Sequence, residues 1–333
     1  MHYNEFNIIG MASVPAECLS PITFYERKGI AMADIITRAG CFVVIILLGF
    51  LLRKKNFFGP DTFSVLSKIV MKITLPAALI ASGSGRYIDV SMLSIAGIGF
   101  CYGVFFIFLG WLIRRKASKE QRAVYIMNLS GCNIGLFALP FTQSFLGPMG
   151  VLTTSLFDLG NAFICNGGSF GIARAVKEGG KPDLLRILKA PFSSIPFLTH
   201  CLMVILNLTH LTLPRPVISL AEIISGANAF LAMLMIGVGL GATTSTGNLS
   251  TVAKILAVRF GVAALVAVGF YLLLPFSLEI RQALVILAFS PLTSTAPFYT
   301  SELKEDVGLA SAVNSASIVI SIIVVVTLLV VML

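Results

Sequence analysis

Ten apolar runs, each of a length to cross a bilayer, take up most of this chain: residues 34–52, 62–83, 91–113, 121–146, 150–173, 192–211, 214–241, 252–275, 280–301 and 308–332. A transmembrane helix needs about 20 predominantly apolar residues. The expected fold is therefore an all-α polytopic membrane protein of ten transmembrane helices. Charge agrees, since 12% of the residues are charged against about 25% in a soluble domain. The net charge of +9 does not point to nucleic acid, because the Lys and Arg residues lie in short loops beside the runs, where the positive-inside rule puts them.

The connections are short except for 174–190, "RAVKEGGKPDLLRILKA", which carries Arg174, Lys177, Lys181, Arg186 and Lys189. This basic loop divides the chain into a first five-helix repeat, 33–173, and a second, 191–333. Basic clusters also follow the first run (Arg53, Lys54, Lys55) and the third (Arg114, Arg115, Lys116, Lys119, Arg122). Basic loops face the cytoplasm, so the central loop is expected inside and both termini outside. Residues 1–32 are polar and mixed, with no basic start and apolar core, so they are not a signal peptide. They read as a tail outside the membrane or as an over-extended start, and the second is favoured.

Five is odd, so the halves must run in opposite directions, an arrangement that suggests the inverted repeats of secondary transporters. "RAVYIMNLSG" (122–131) can be laid on "QALVILAFSP" (282–291), and both lead, with a three-residue gap, to Pro140-Phe141 and Pro297-Phe298. Within the fourth run lie Asn128, Ser130, Asn133, Gly135 and Pro140; within the ninth, Pro291 and Pro297 bracket Thr293, Ser294 and Thr295. Proline removes a backbone donor and clashes with the preceding turn, and in lipid the freed groups must find partners. A lone proline would mean only a kink. Two interrupted helices in corresponding positions point instead to a binding site at the membrane midplane.

The fifth run places Thr154, Asp158, Asn161 and Cys165 on one helical face. A carboxylate at such depth is costly and faces a cavity or a partner. Asp158 is read equally as a coupling residue and as support for the broken helix. Lys68 and Lys72 in the second run are expected to snorkel to the interface, the alternative being that one pairs with Asp158 or attracts an anion. In the seventh run, Glu222, Ser225 and Asn228 recur at threes, and Gly237 and Gly241 form a close-packing GxxxG pattern. Arg259 is either a partner of Glu222 or a second buried charge. Ser311, Asn314 and Ser317 give the tenth run a polar side that matches the fifth in position. The six cysteines form no CxxC and read as small packing residues. The three histidines have no second ligand nearby in sequence, and no hydrolase, zinc-protease, P-loop or dinucleotide motif occurs. An enzyme is not expected.

The basic central loop, "KITLPAALI" in the second run, "NIGLFALPF" in the fourth and "LFDLGNAF" in the fifth resemble the auxin efflux carrier family, in its prokaryotic branch. The resemblance runs from about residue 33 to the end. It implies a fold like that of the sodium/bile acid transporters, with the fourth helix of each half broken at proline and the two breaks crossing where substrate binds. It implies a bacterial inner-membrane protein, often a homodimer, that carries a small organic anion such as a carboxylate by an elevator-type movement. Asn133, Pro140 and Pro297 carry over from the family pattern; the second half has hydroxyls, not an Asn, opposite Asn133.

The expected function is thus secondary transport of an organic anion, with Asn133, Thr293, Ser294 and Thr295 binding and Gly135, Pro140, Pro291 and Pro297 shaping the crossover. Asp158, Asn161, Lys72 and Asn314 would couple or support. Asn133 would donate to a carboxylate without the cost of a buried cation. No organic cofactor or metal is expected, only coupling to a proton or to sodium. The alternatives are a sodium-coupled carrier of the bile acid type and, below it, a sensor that moves nothing.

Overall fold

The computed structural model describes the backbone of residues 21–86, 88–242 and 248–332, and within these the side chains from residue 33 onward, apart from residue 242. Most of the expected tail lies outside the described residues. The first helix starts earlier than its apolar run, because the polar residues ahead of it continue the same helix.

Among the described residues every regular element is helical. Six helices are long and apolar enough to cross a membrane. They are α1 (Pro21–Lys54, apolar from Ala33), α2 (Thr62–Gly83), α3 (Val90–Ile113), α10 (Arg215–Gly241), α11 (Leu249–Leu273) and α14 (Val307–Met332). The other four predicted runs fall on shorter or interrupted helices. These are α4 (Lys119–Leu129) with α5 (Ile134–Phe145), α6 (Gly147–Phe163) with α7 (Ser169–Glu178), α9 (Ile195–Leu208), and α12 (Leu278–Ala288) with α13 (Ala296–Glu302). The basic loop holds a short helix, α8 (Leu184–Lys189), which with the turn after it lies at 83° to α9.

The first break does not fall at the proline the sequence singled out, whereas the second, residues 289–295, contains Pro291. Between α4 and α5 the chain leaves the helix at Ser130 (ψ 159°) and re-enters after Asn133 (ψ 75°), with Gly131 at φ +78°. That φ is strained for any residue with a Cβ. Pro140 lies downstream, inside the re-started helix, behind a wide turn over Ile134–Ala138. The extra residue in that π-turn makes room for the ring and its missing donor. Pro76 in α2 follows an identical device, the wide turn Val70–Thr74. Pro297 sits in the first turn of α13, where a helix has no use for the missing N–H.

The outside of the molecule is apolar and the inside is mixed. Val44, Leu47 and Leu51 on α1 and Leu265, Leu272 and Leu273 on α11 are exposed, as lipid-facing side chains are. Phe106, Phe137, Phe141 and Phe157 are fully buried, alongside Asn128, Asn161, Asn228 and Ser317. α1 and α10 meet backbone to backbone. A Cβ on Gly49 would strike the Leu234 carbonyl, and one on Gly237 the Ile46 carbonyl. The glycines of the GxxxG pattern thus do the close packing expected of them.

Candidate functional site

The two breaks meet. Cys132 and Leu292 pair as an isolated antiparallel bridge, and the Asn133 N–H donates to the Pro291 carbonyl (2.9 Å). Backbone groups left open by an unwound segment must find partners in lipid, and here each break supplies some of the other's. Neighbouring helices supply the rest. The Asn161 amide, from α6, acts as a strand edge: its Oδ1 accepts from the Cys132 N–H (3.0 Å) and its Nδ2 donates to the Cys132 carbonyl (2.9 Å). From α14, the Ser317 hydroxyl accepts from the Leu292 N–H (3.1 Å) and donates to the Asn314 carbonyl (2.7 Å).

The carbonyl ends of α4 and α12 are closed from α3 and α11. The Tyr102 hydroxyl donates to the Ala288 carbonyl (2.6 Å). Arg259, 1% exposed, donates to the Leu129 carbonyl, to those of Gly131 (3.1 Å) and Ser290 (3.2 Å), and to Cys132 Sγ (3.2 Å). Its guanidinium also lies over the Phe106 ring at 5.0 Å. Arg259 is therefore not a partner of Glu222, which is exposed. Arg259 is the second buried charge of the two readings, and it lies beside the crossover.

Two cavities flank the junction. The smaller, about 80 Å³, is lined by Asp158, Asn161, Cys165, His200, Thr293 and Thr295 among others. The larger, about 410 Å³, is lined by Phe63, Met235, Gly239, Pro297, Ser311 and Asn314 among others. Asn133 and Ser294 line both. The Asn133 side chain is nearly buried, at 6% exposed, and makes no side-chain hydrogen bond among the described residues. The neighbouring hydroxyls are engaged: Thr293 and Thr295 share a 2.9 Å hydrogen bond, and Thr295 also donates to the Cys165 carbonyl (3.4 Å). Gly135 lies against Leu75, with Asp158 beyond; a Cβ there would press on the Leu75 side chain.

Asp158 is bonded twice. Its Oδ1 accepts from Asn161 Nδ2 (3.0 Å), and its Oδ2 lies 3.3 Å from His200 Nε2. His200, on α9, is 4% exposed. Lys72 does not meet Asp158; it and Lys68 are exposed, as snorkelling side chains are. Asn314 lines the larger cavity, and its buried Oδ1 has no partner. No group of His, Cys, Asp and Glu among the described residues could hold a metal ion.

Sequence reasoning missed two participants, Tyr102 and His200, and the partners of a third, Arg259. Tyr102 and Arg259 act on carbonyls far away in the chain, and nothing local marks such a target. His200 was set aside for want of a second residue nearby in sequence, yet its partner is 42 positions away. The available signal was that His200 and Asp158 are both ionisable groups deep in apolar runs.

Residues 39–180 match the model of a family described as membrane transport protein. The chain is also similar to an uncharacterized transporter of Methanothermobacter thermautotrophicus, 23% identical over 287 residues, which are 84% of this chain and 92% of that one.

Proposed function

We propose, from the match of residues 39–180 to the membrane transport protein family and the resemblance to auxin efflux carriers, that this chain is a secondary transporter of a small organic anion. It crosses the membrane ten times, as two inverted repeats of five helices. Cys132 and Leu292, the bridge pair, are equivalent positions of the two halves. Asp158 with Asn161 and Asn314 with Ser317 are a second equivalent pair, three residues apart in each case. The single observation that carries the reading is the Asn133 amide, unbonded at the meeting of two broken helices and facing a cavity on either side.

An anion suits such a place. α5 and α13 both begin at the junction, and helix N-termini present open N–H groups and the positive end of the dipole. Asn133 and Ser294 add polar groups, with Thr293 and Thr295 beside them. Asp158 and His200, a buried carboxylate and imidazole in contact, are the groups assigned to a coupled proton.

With the basic loop inside the cell, the state is inward-open. The larger cavity reaches Pro60 and Leu240 at that end of α2 and α10. A third cavity, about 440 Å³, lies under the basic loop and shares Asn166 with the small one. At the opposite end a cavity of about 20 Å³ lies between Ser82 and Asn207. Alternating access would then proceed by moving the crossover relative to α1, α2, α9 and α10, in an elevator-like way.

The test is transport in proteoliposomes with a panel of radiolabelled mono- and dicarboxylates, malonate included. A carboxylate should be carried, and Asn133→Ala should slow it at least tenfold. Carriage by Asn133→Ala at the wild-type rate would sink the site. A pH gradient should drive the flux; flux that needs sodium and ignores pH would put a sodium-coupled carrier in its place.

A further inference from the structure

We infer that Arg259 is a positioning residue that staples the two breaks into one rigid body and sets the positive charge of the crossover. The last carbonyls of an α-helix have no partner within it, and they are the negative end of its dipole. Two such ends, those of α4 and α12, converge here. One guanidinium answers both, through Leu129 and Gly131 on one side and Ser290 on the other. Only arginine offers several donors in a fixed planar fork. Its remaining contacts, Cys132 Sγ and the Phe106 ring, fill the space around it.

No carboxylate pairs with Arg259 among the described residues. Its charge is answered by carbonyl dipoles, the Cys132 sulfur and the Phe106 ring, with Gly131 two residues from Asn133 in the chain. Asp158, which reaches the same Cys132 through Asn161, carries the opposing charge, and it has its own partner in His200. The fork thus sets a positive group behind the crossover without presenting a cation to the ligand. This part rests on the transport reading; the staple does not.

The experiment needs no substrate. Cys132 is 3% exposed, with the guanidinium on its sulfur and the small cavity beside it. Purified wild-type protein and the variants Arg259→Met and Arg259→Lys are treated with N-ethylmaleimide, and each cysteine peptide is followed by mass spectrometry. Cys132 should be nearly unreactive in the wild type. In Arg259→Met it should react at least tenfold faster while Cys201 is unchanged. Arg259→Lys, which keeps the charge and loses the fork, should fall between and should carry the test if the Met variant does not fold. Cys132 protected in Arg259→Lys and in any folded Arg259→Met to the wild-type level would overturn the inference. Because labelling involves no transport, that failure is distinguishable from failure of the transporter reading.

A separate observation concerns α8. Leu184, Leu185, Leu188 and, just beyond, Phe192 are all more than half exposed, while Ile187 packs onto Gly171 of α7. The segment carries three cations, Lys181, Arg186 and Lys189, against one carboxylate, Asp183. With its 83° turn into α9, the geometry points to a helix lying in the plane of the membrane, its leucines in the acyl boundary and its cations on acidic headgroups. A Leu185→Trp probe in a Trp111→Phe background tests this in vesicles of phosphatidylcholine with or without phosphatidylglycerol. Emission should be blue-shifted, quenched at least twofold by brominated chains, and more so with brominated phosphatidylglycerol. Water-like, unquenched emission would overturn the placement; equal quenching by both lipids would overturn the preference for acidic headgroups.

Discussion

The two breaks that meet at Cys132 and Leu292 face the same problem and solve it unequally. In the first, one side chain, Asn161, answers both the N–H and the carbonyl of Cys132. In the second, Ser317 answers only the Leu292 N–H and spends its own proton on Asn314. An amide has a donor and an acceptor in fixed relation and can stand in for a neighbouring strand; a hydroxyl has a single proton. The first break is thus held as a defined piece of backbone, and the second leans more on its own hydroxyls. The smaller cavity lies against the well-held side and the larger against Asn314 and α10.

Four substitutions break or sharpen that contrast, in falling order of their effect on stability. Asn161→Ala leaves the Cys132 N–H buried and unpaired and takes one of the partners of its carbonyl, which keeps the Ile134 N–H; it should cost about 3 kcal/mol, since an orphan costs about 1–3 kcal/mol and a lost hydrogen bond about 1 kcal/mol. Thermal unfolding in detergent reads it. Gly131→Ala forces a Cβ into the left-handed region, 3.0 Å from Cys165 Sγ, for about 2 kcal/mol; an unchanged melting temperature would mean that the break relaxes freely. Ser317→Ala removes one acceptor and should cost about 1 kcal/mol. If it matched or exceeded Asn161→Ala, the claimed asymmetry would be gone. Asn133→Ala should leave stability nearly unchanged, because its side chain holds nothing in place, while reducing transport. A large loss of stability there would turn Asn133 from a binding group into a structural one.

Much of this junction was legible in the chain. The register that lays 122–131 on 282–291, continued by one residue, sets Cys132 on Leu292, the pair that forms the bridge. The polar sides of the fifth and tenth runs supply the two residues that cap it. The second break is marked by Pro291, which lies within it, but the first is not marked by Pro140. Wide turns absorb Pro76 and Pro140 inside continuing helices, and the helix stops instead at a glycine whose φ only the fold reveals. Arg259 was equally hidden. Its partners are carbonyls, which every residue has, so no pattern of side chains announces them.

Gly49 and Gly237 have a consequence for motion. Where helices touch through glycine and carbonyl, there are no rotamers to freeze, so the contact costs little entropy. It also tolerates no sliding, since a shift along either helix would bring a side chain onto the oxygens of Ile46 or Leu234. The α1–α10 seam is a fixed post, and displacement belongs at the wetter boundary beyond α10, where the large cavity lies. Spin labels at the exposed positions 47 on α1 and 230 on α10 should then keep the same separation with and without a candidate carboxylate. A separation that changed with the carboxylate would show that the post moves.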